Sequence, residues 1–134
     1  MRLVYKKSDM KFELDKQEKY SIFKIEDTNL NSVVAPDLKS EFIFLRNEGV
    51  KNLIFDMSEV QYVDSSGLSS ILTANRLWKD YGSFVIAGPL ADAVKRLIEI
   101  SRLETILTII PTVSESIEFV FMEEIERSML SEEE

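Results

Sequence analysis

The sequence predicts an α/β domain, a mixed β-sheet with crossover α-helices in the order ββαβαβαβα. Three observations carry that prediction. Asn52-Leu53-Ile54-Phe55-Asp56 and Ser83-Phe84-Val85-Ile86-Ala87 are short apolar runs without alternation, as strands covered on both faces are. Between and after them, apolar residues recur at helical spacing. The chain has 134 residues, 45% of them hydrophobic, enough for one core that needs neither metal nor disulfide.

Taken in order, Met10-Lys11-Phe12-Glu13-Leu14 and Tyr20-Ser21-Ile22-Phe23-Lys24-Ile25 alternate in part around a polar connector, predicting a hairpin over 10–16 and 20–26 at one side of the sheet. From Ser32 to Glu48 the spacing of Val34, Leu38, Phe42 and Leu45 predicts an amphipathic helix, with Pro36 in its first turn and Gly49 as its stop. The two apolar runs then form the middle of the sheet. Between them Leu68, Ile71, Leu72, Asn75 and Trp78 mark one helical face, closed by Tyr81-Gly82. After Gly88-Pro89, Leu90, Val94, Leu97 and Ile98 repeat the helical pattern, and Ile106 to Ile110 read as a last strand. Thr112-Val113-Ser114-Glu115 has the form of a capping box and opens a final helix through Ile117, Val120, Phe121 and Ile125. One domain is expected over residues 1–134, with its core about 10–125 and residues 1–9 and 126–134 peripheral. Glu132-Glu133-Glu134 is expected to be a solvated, frayed end.

Composition narrows the function. Cysteine and histidine are both absent, which excludes thiolate and imidazole metal sites, cysteine nucleophiles and histidine relays. Lysine plus arginine number 16 against 24 acids, a net charge of −8, the wrong sign for a phosphate-tracking protein, so no direct nucleic-acid partner is expected. The first residues carry no apolar signal region, and no run approaches the roughly 18 apolar residues of a membrane span. A cytoplasmic protein is expected. Asp56 and Asp64 could in principle act as a carboxylate pair, but no histidine or cysteine supports them and no glycine-rich phosphate loop is present, which argues against an enzyme.

The segment Asp56 to Leu68, DMSEVQYVDSSGL, joins a buried strand to a helix and clusters small polar residues. Asp64, Ser65 and Ser66 are each able to cap that helix, and capping alone would account for all three. Gly67 allows another backbone to approach and leaves the preceding hydroxyl uncovered. A phosphate added there brings about −1.5 to −2 charges beside Asp64. The free N–H groups of a helix start accommodate an anion, whereas a partner packed on the unmodified turn would have to desolvate it. Folding would survive while binding failed. Helix phase sets Ser69, Thr73, Arg76 and Leu77 on the side away from Leu68, and Leu77 is expected there as an exposed leucine that a partner could contact.

Asp56-Met57-Ser58 followed by Val63-Asp64-Ser65-Ser66-Gly67-Leu68 resembles the signature of the STAS domain family, in which a buried strand runs into Asp-x-Ser and then Asp-Ser-Ser-Gly-Leu. The resemblance extends from about Phe12 to Phe121 and includes Leu38-Lys39, Gly88-Pro89, Ala93-Val94-Lys95-Arg96-Leu97 and Ser101-Arg102-Leu103. It implies a STAS-like fold and, for a chain with no other domain, a bacterial anti-sigma factor antagonist. Such a protein, when unphosphorylated, binds an anti-sigma factor that is also a serine kinase, so that the sigma factor is released. The kinase, with its own bound ATP, phosphorylates the antagonist and ends the complex, and a metal-dependent serine phosphatase resets it. By that resemblance Ser65 is the acceptor, Asp64, Ser66 and Gly67 belong to the contact surface, and the chain itself needs no cofactor. Where family members commonly carry Gly-Glu-Leu-Asp before the first helix, this chain has Thr28-Asn29-Leu30-Asn31. Asn31 is still suited to capping that helix and lies in a loop near the acceptor in the family, so its neutral side chain bears on partner choice. A STAS scaffold or regulatory subunit in a stress-signalling assembly or transport system is the alternative.

Overall fold

The computed structural model describes residues 2–7 and 10–133, with side chains described for 2–5 and 10–131. Its elements are β1 (Arg2–Lys7), β2 (Met10–Lys16), β3 (Ser21–Ile25), β4 (Asn29–Leu30), α1 (Ala35–Asn47), β5 (Asn52–Asp56), β6 (Tyr62–Val63), α2 (Ser65–Trp78), β7 (Ser83–Ala87), α3 (Asp92–Ile100), β8 (Ile109–Ile110) and α4 (Val113–Glu133). The predicted ββαβαβαβα runs through this order from β2. Added to it are an N-terminal strand and the short strands β4 and β6.

The main sheet has the order β1-β2-β3-β5-β7-β8. β1, β2 and β3 pair antiparallel, with Leu14 opposite Phe23; β3, β5, β7 and β8 pair parallel, with Phe55 opposite Ile86. β5 and β7 are buried along their whole length. Their two faces feed two cores, which is why neither strand alternates. Leu53, Phe55, Phe84 and Ile86 meet α1 and α2, while Ile54, Val85 and Ala87 meet Val120 of α4. On the first face Phe42 of α1 is ringed by Phe23, Phe55, Phe84 and Trp78, with ring centroids 5.2–6.4 Å away and mostly edge-on.

Helix starts and stops depart from expectation in instructive ways. Val34, Leu38, Phe42 and Leu45 are buried as their spacing predicts, but α1 begins at Ala35 instead of Ser32. The Asn31 side chain does not cap it: Asn31 Oδ1 accepts a bond from the N–H of Val33 at 3.0 Å and folds residues 31–34 into a turn ahead of the helix. Gly49 ends α1 at a φ of 91° that other residues rarely adopt. The last strand shrinks from Ile106–Ile110 to two residues because Ile106 and Leu107 both donate back to the carbonyl of Leu103, closing a turn. Thr112 Oγ1 accepts from the N–H of Glu115 at 3.1 Å, as the capping pattern predicts.

α4 is longer than the pattern indicates and differs in its facing. Phe121 and Ile125, read as part of its apolar repeat, are 42% and 54% exposed. The acid-rich end is also not uniform: Arg127 donates to Asn52 Oδ1 at 2.9 Å and Ser83 Oγ at 3.1 Å, and Glu124 accepts from Asn52 Nδ2 at 2.7 Å. These bonds fasten α4 to the first residues of β5 and β7. Glu132 and Glu133 continue the helical backbone, but their side chains and all of Glu134 lie outside the described residues.

Candidate functional site

β5 ends in a buried aspartate whose Oδ1 accepts from the N–H of Ser58 at 2.9 Å, turning the chain out of the sheet. The chain then forms β6, which pairs in parallel with β4, and the N–H of Asp64 donates to the carbonyl of Leu30 at 3.0 Å. This pairing is what brings the loop before α1 against the start of α2.

Of the three candidate caps, Asp64 takes the role. Its backbone is extended, its Oδ1 accepts from the N–H of Gly67 at 2.9 Å, and its carbonyl accepts from Leu68 at 2.9 Å. Ser65 is thereby the first helical residue, and it is exposed. Ser66 is half-buried, its carbonyl accepting from the hydroxyl of the buried Ser70. Gly67 is buried against Leu30: a Cβ there would sit 2.8 Å from Leu30 Cβ and closer still to its carbonyl oxygen. The close approach expected of Gly67 is thus made by the strand that precedes α1.

Ser69 and Arg76 are exposed on the same side of α2 as Ser65, with the half-buried Thr73 between them donating from Oγ1 to the Ser69 carbonyl at 2.9 Å. Leu77 is a correction. It is half-buried and packs against the main core, and its carbonyl accepts from Arg46 Nε at 3.0 Å, so it is not a free surface leucine. The reason is the phase of α2. Its buried residues are Gly67, Ser70, Ile71, Ala74 and Trp78, a face that shares Ile71 and Trp78 with the predicted one of Leu68, Ile71, Leu72, Asn75 and Trp78 but is turned from it by roughly 80°. Small residues face α1, with Ser70 Oγ 3.3 Å from the Ala35 carbonyl, because close helix contact excludes large side chains.

Ser65, Ser66 and Ser69 line one wall of an open cleft of about 390 Å³ between α2 and α1, opposite Ser32, Ala35, Pro36 and Lys39. Asn31, which precedes Ser32 in the chain, is half-buried and is not among the residues that line the cleft. Two apolar side chains missed in the sequence flank this region along the chain: Val33, 57% exposed in the turn before α1, and Tyr62, 65% exposed on β6. Large apolar residues in otherwise polar connectors were the available signal. Asp56 and Asp64 are each engaged by a backbone N–H in a local turn. Among the described residues no group of three or more His, Cys, Asp or Glu side chains is placed to hold a metal, and no helix is long and apolar enough to cross a membrane.

A family model described as STAS domain matches residues 11–116. The solved structure of an anti-sigma factor antagonist from Mycobacterium paratuberculosis superposes with a TM-score of 0.75 at 17% identity, over 86% of this chain and 97% of its own. The anti-sigma factor antagonist SpoIIAA in its unphosphorylated form superposes with a TM-score of 0.68 at 18% identity, over 81% of this chain and 95% of its own. Bacillus SpoIIAA in the phosphorylated form gives 0.63 at 18% identity, over 81% and 98%. At such identities these likenesses establish a shared fold.

Proposed function

The chain belongs to the STAS domain family, and on that premise we propose that it is an anti-sigma factor antagonist acting in the cytoplasm as a non-enzymatic switch. In this reading the unmodified chain binds an anti-sigma factor that is also a serine kinase and so frees the sigma factor. The kinase, using ATP bound to itself, then phosphorylates Ser65, and a serine phosphatase restores the active form. The observation that carries the proposal is the exposed hydroxyl of Ser65 at the first position of a helix already capped by Asp64.

The physical logic follows from that position. The capping bond uses the Asp64 carboxylate and the Gly67 N–H, not the Ser65 hydroxyl, so phosphorylation breaks no bond that holds the helix. The added charge sits at the favourable end of the helix dipole, in a cleft with Lys39 on its far wall. For a partner packed over Ser65, the same charge has to be desolvated beside exposed Asp64, which costs several kcal/mol. Ser69, Thr73, Arg76 and Asn31 extend the contact surface from that centre, and exposed Val33 and Tyr62 supply the apolar contact that a polar turn lacks. Leu77 contributes through packing beneath the surface.

The test is a pull-down with a purified anti-sigma kinase and ATP, read by intact mass and peptide mapping. Ser65→Ala is expected to fold, take no phosphate and hold the partner. Ser65→Asp is expected to bind at least about tenfold more weakly, a cost of about 1.4 kcal/mol, although a carboxylate imitates only part of the phosphate charge. Phosphate on Ser66 in place of Ser65, or a partner that stays bound after modification, overturns the reading.

A further inference from the structure

α4 runs antiparallel to the central strands. It starts beside the end of β8 and reaches the first residues of β5 and β7 at Arg127. Residues 128–133 therefore continue about 9 Å past the sheet, at 1.5 Å per residue. Among the described residues of the helix the fully buried ones, Ser116 and Val120, lie in its first half, with Val113, Ile117 and Phe119 half-buried beside them, and in the second half Glu123, Glu124 and Arg127 are half-buried. On the opposite side Phe121, Met122, Ile125 and Met129 fall within roughly 100° of arc and are 42–61% exposed, Phe121 with its ring edge-on to Tyr20, while Leu130, 62% exposed, lies off this stripe. An apolar stripe of this kind along one helix is not what a monomer's surface needs.

The charge around the stripe selects what covers it. Glu118 and Glu126 are exposed along it, and the sequence of α4 contains one cation, Arg127. That cation is turned to the sheet and bonded to Asn52, Ser83 and Glu124. A second copy packed α4 on α4 would bring Glu118 and Glu126 against their own copies, the cation nearest the helix from another element, Lys19, lying by Glu124 on the sheet side, and an anionic lipid surface would be repelled in the same way. We propose that the outer face of α4 from Phe121 to Met129 is a second docking surface, which receives an amphipathic helix of another protein with an apolar stripe edged by lysine or arginine. Its two exposed methionines adapt readily to such a stripe. The surface lies on the opposite face of the sheet from α2 and at the opposite end of the parallel strands from Ser65, so both surfaces can be occupied together. This inference does not depend on the phosphorylation reading.

The test uses the full chain and two labelled synthetic helices of about five turns, one of leucine and lysine, the other of leucine and glutamate, followed by fluorescence anisotropy at physiological salt. The leucine/lysine helix is expected to bind, the leucine/glutamate helix not. Ile125→Ser/Met129→Ser keeps every charge and is expected to lose about tenfold or more in affinity. Glu118→Gln/Glu126→Gln keeps the apolar stripe, should weaken binding several-fold, and decides the matter if the first double variant fails to fold. Ser65→Asp should bind the helix as wild type does. Equal affinity of wild type and Ile125→Ser/Met129→Ser would reduce the effect to bulk charge and overturn the proposal. So would a wild-type dimer in sedimentation, or binding to phosphatidylglycerol vesicles, that this variant abolishes.

Discussion

Ser65 is available because its neighbours carry the structural tasks. Asp64 holds the cap and Gly67 takes the contact with Leu30. The division predicts separable phenotypes. Asp64→Ala should lose about 1 kcal/mol of stability in thermal melts, whereas Asp64→Asn, which still accepts the Gly67 bond, should melt close to wild type and reveal in binding assays any role the charge has beyond capping. Gly67→Ala pushes a methyl into Leu30, and its cost of about 1–3 kcal/mol should lower Tm and weaken partner binding together, since β4 and the loop after it must shift. A Gly67→Ala chain with wild-type Tm would mean that α2 slides freely on Leu30. Leu77 shows the reverse case, a side chain that a helical wheel leaves in solvent and that is half-buried once α2 is seated on α1.

At the scale of elements, α4 is held by a polar clip as well as by Val120. Asn52 is fully buried, and its amide is satisfied by Lys19, Glu124 and Arg127. Arg127→Ala should cost about 1–3 kcal/mol in chemical denaturation by leaving Asn52 Oδ1 without a donor. The Asn52 bond, together with Arg127, holds the Glu124 carboxyl below the usual carboxylate range, while burial and the neighbouring Glu126 push Glu123 up. The signs are opposite. A lowered pKa gives Glu124 a stabilising contribution that is present above the unfolded-state value and lost as pH falls through the folded one; the raised pKa of Glu123 stabilises only at low pH and is lost as pH rises. Glu124→Gln should therefore lie below wild type in Tm at pH 7 by about 2 °C, as expected for a partly exposed pair worth roughly 0.5 kcal/mol. The two melting curves should converge as pH drops below about 4, near the ordinary glutamate value. A gap that stays constant with pH would show that the charge of Glu124 is not what anchors the helix.

For the molecule as a whole, the sheet separates two surfaces. The Ser65 cleft lies over the aromatic core formed with α1 and α2, and the α4 stripe backs the smaller core of Ile54, Val85 and Ala87. A phosphate on Ser65 should change binding without loosening either core. The modified chain is expected to melt within about 2 °C of the unmodified one, less than 1 kcal/mol, and to keep its amide-exchange protection in β5 and β7. Loss of protection in those strands on phosphorylation would replace a local electrostatic switch with one that works by unfolding.

The fold class was legible because local patterns and tertiary burial agree where strands are covered on both faces: the unbroken apolar runs at 52–56 and 83–87 admit little else. The start of α2, on which the candidate site rests, was legible because helix starts are written in short-range chemistry, and Asp64-Ser65-Ser66-Gly67 carries its cap and its close approach in adjacent residues. Other features depend on what lies across space. The β4–β6 pair, two residues to a strand, has no periodicity to read, yet it places Ser32 across the cleft from Ser65. The seating of α2 depends on α1, because small residues win the inner position wherever two backbones come close, and hydropathy ranks them last. Likewise Glu124, Arg127 and the outward stripe of α4 share one acidic, apolar stretch, and only the position at which the helix meets and then outruns the sheet determines which side chains are anchors and which stay open to a partner.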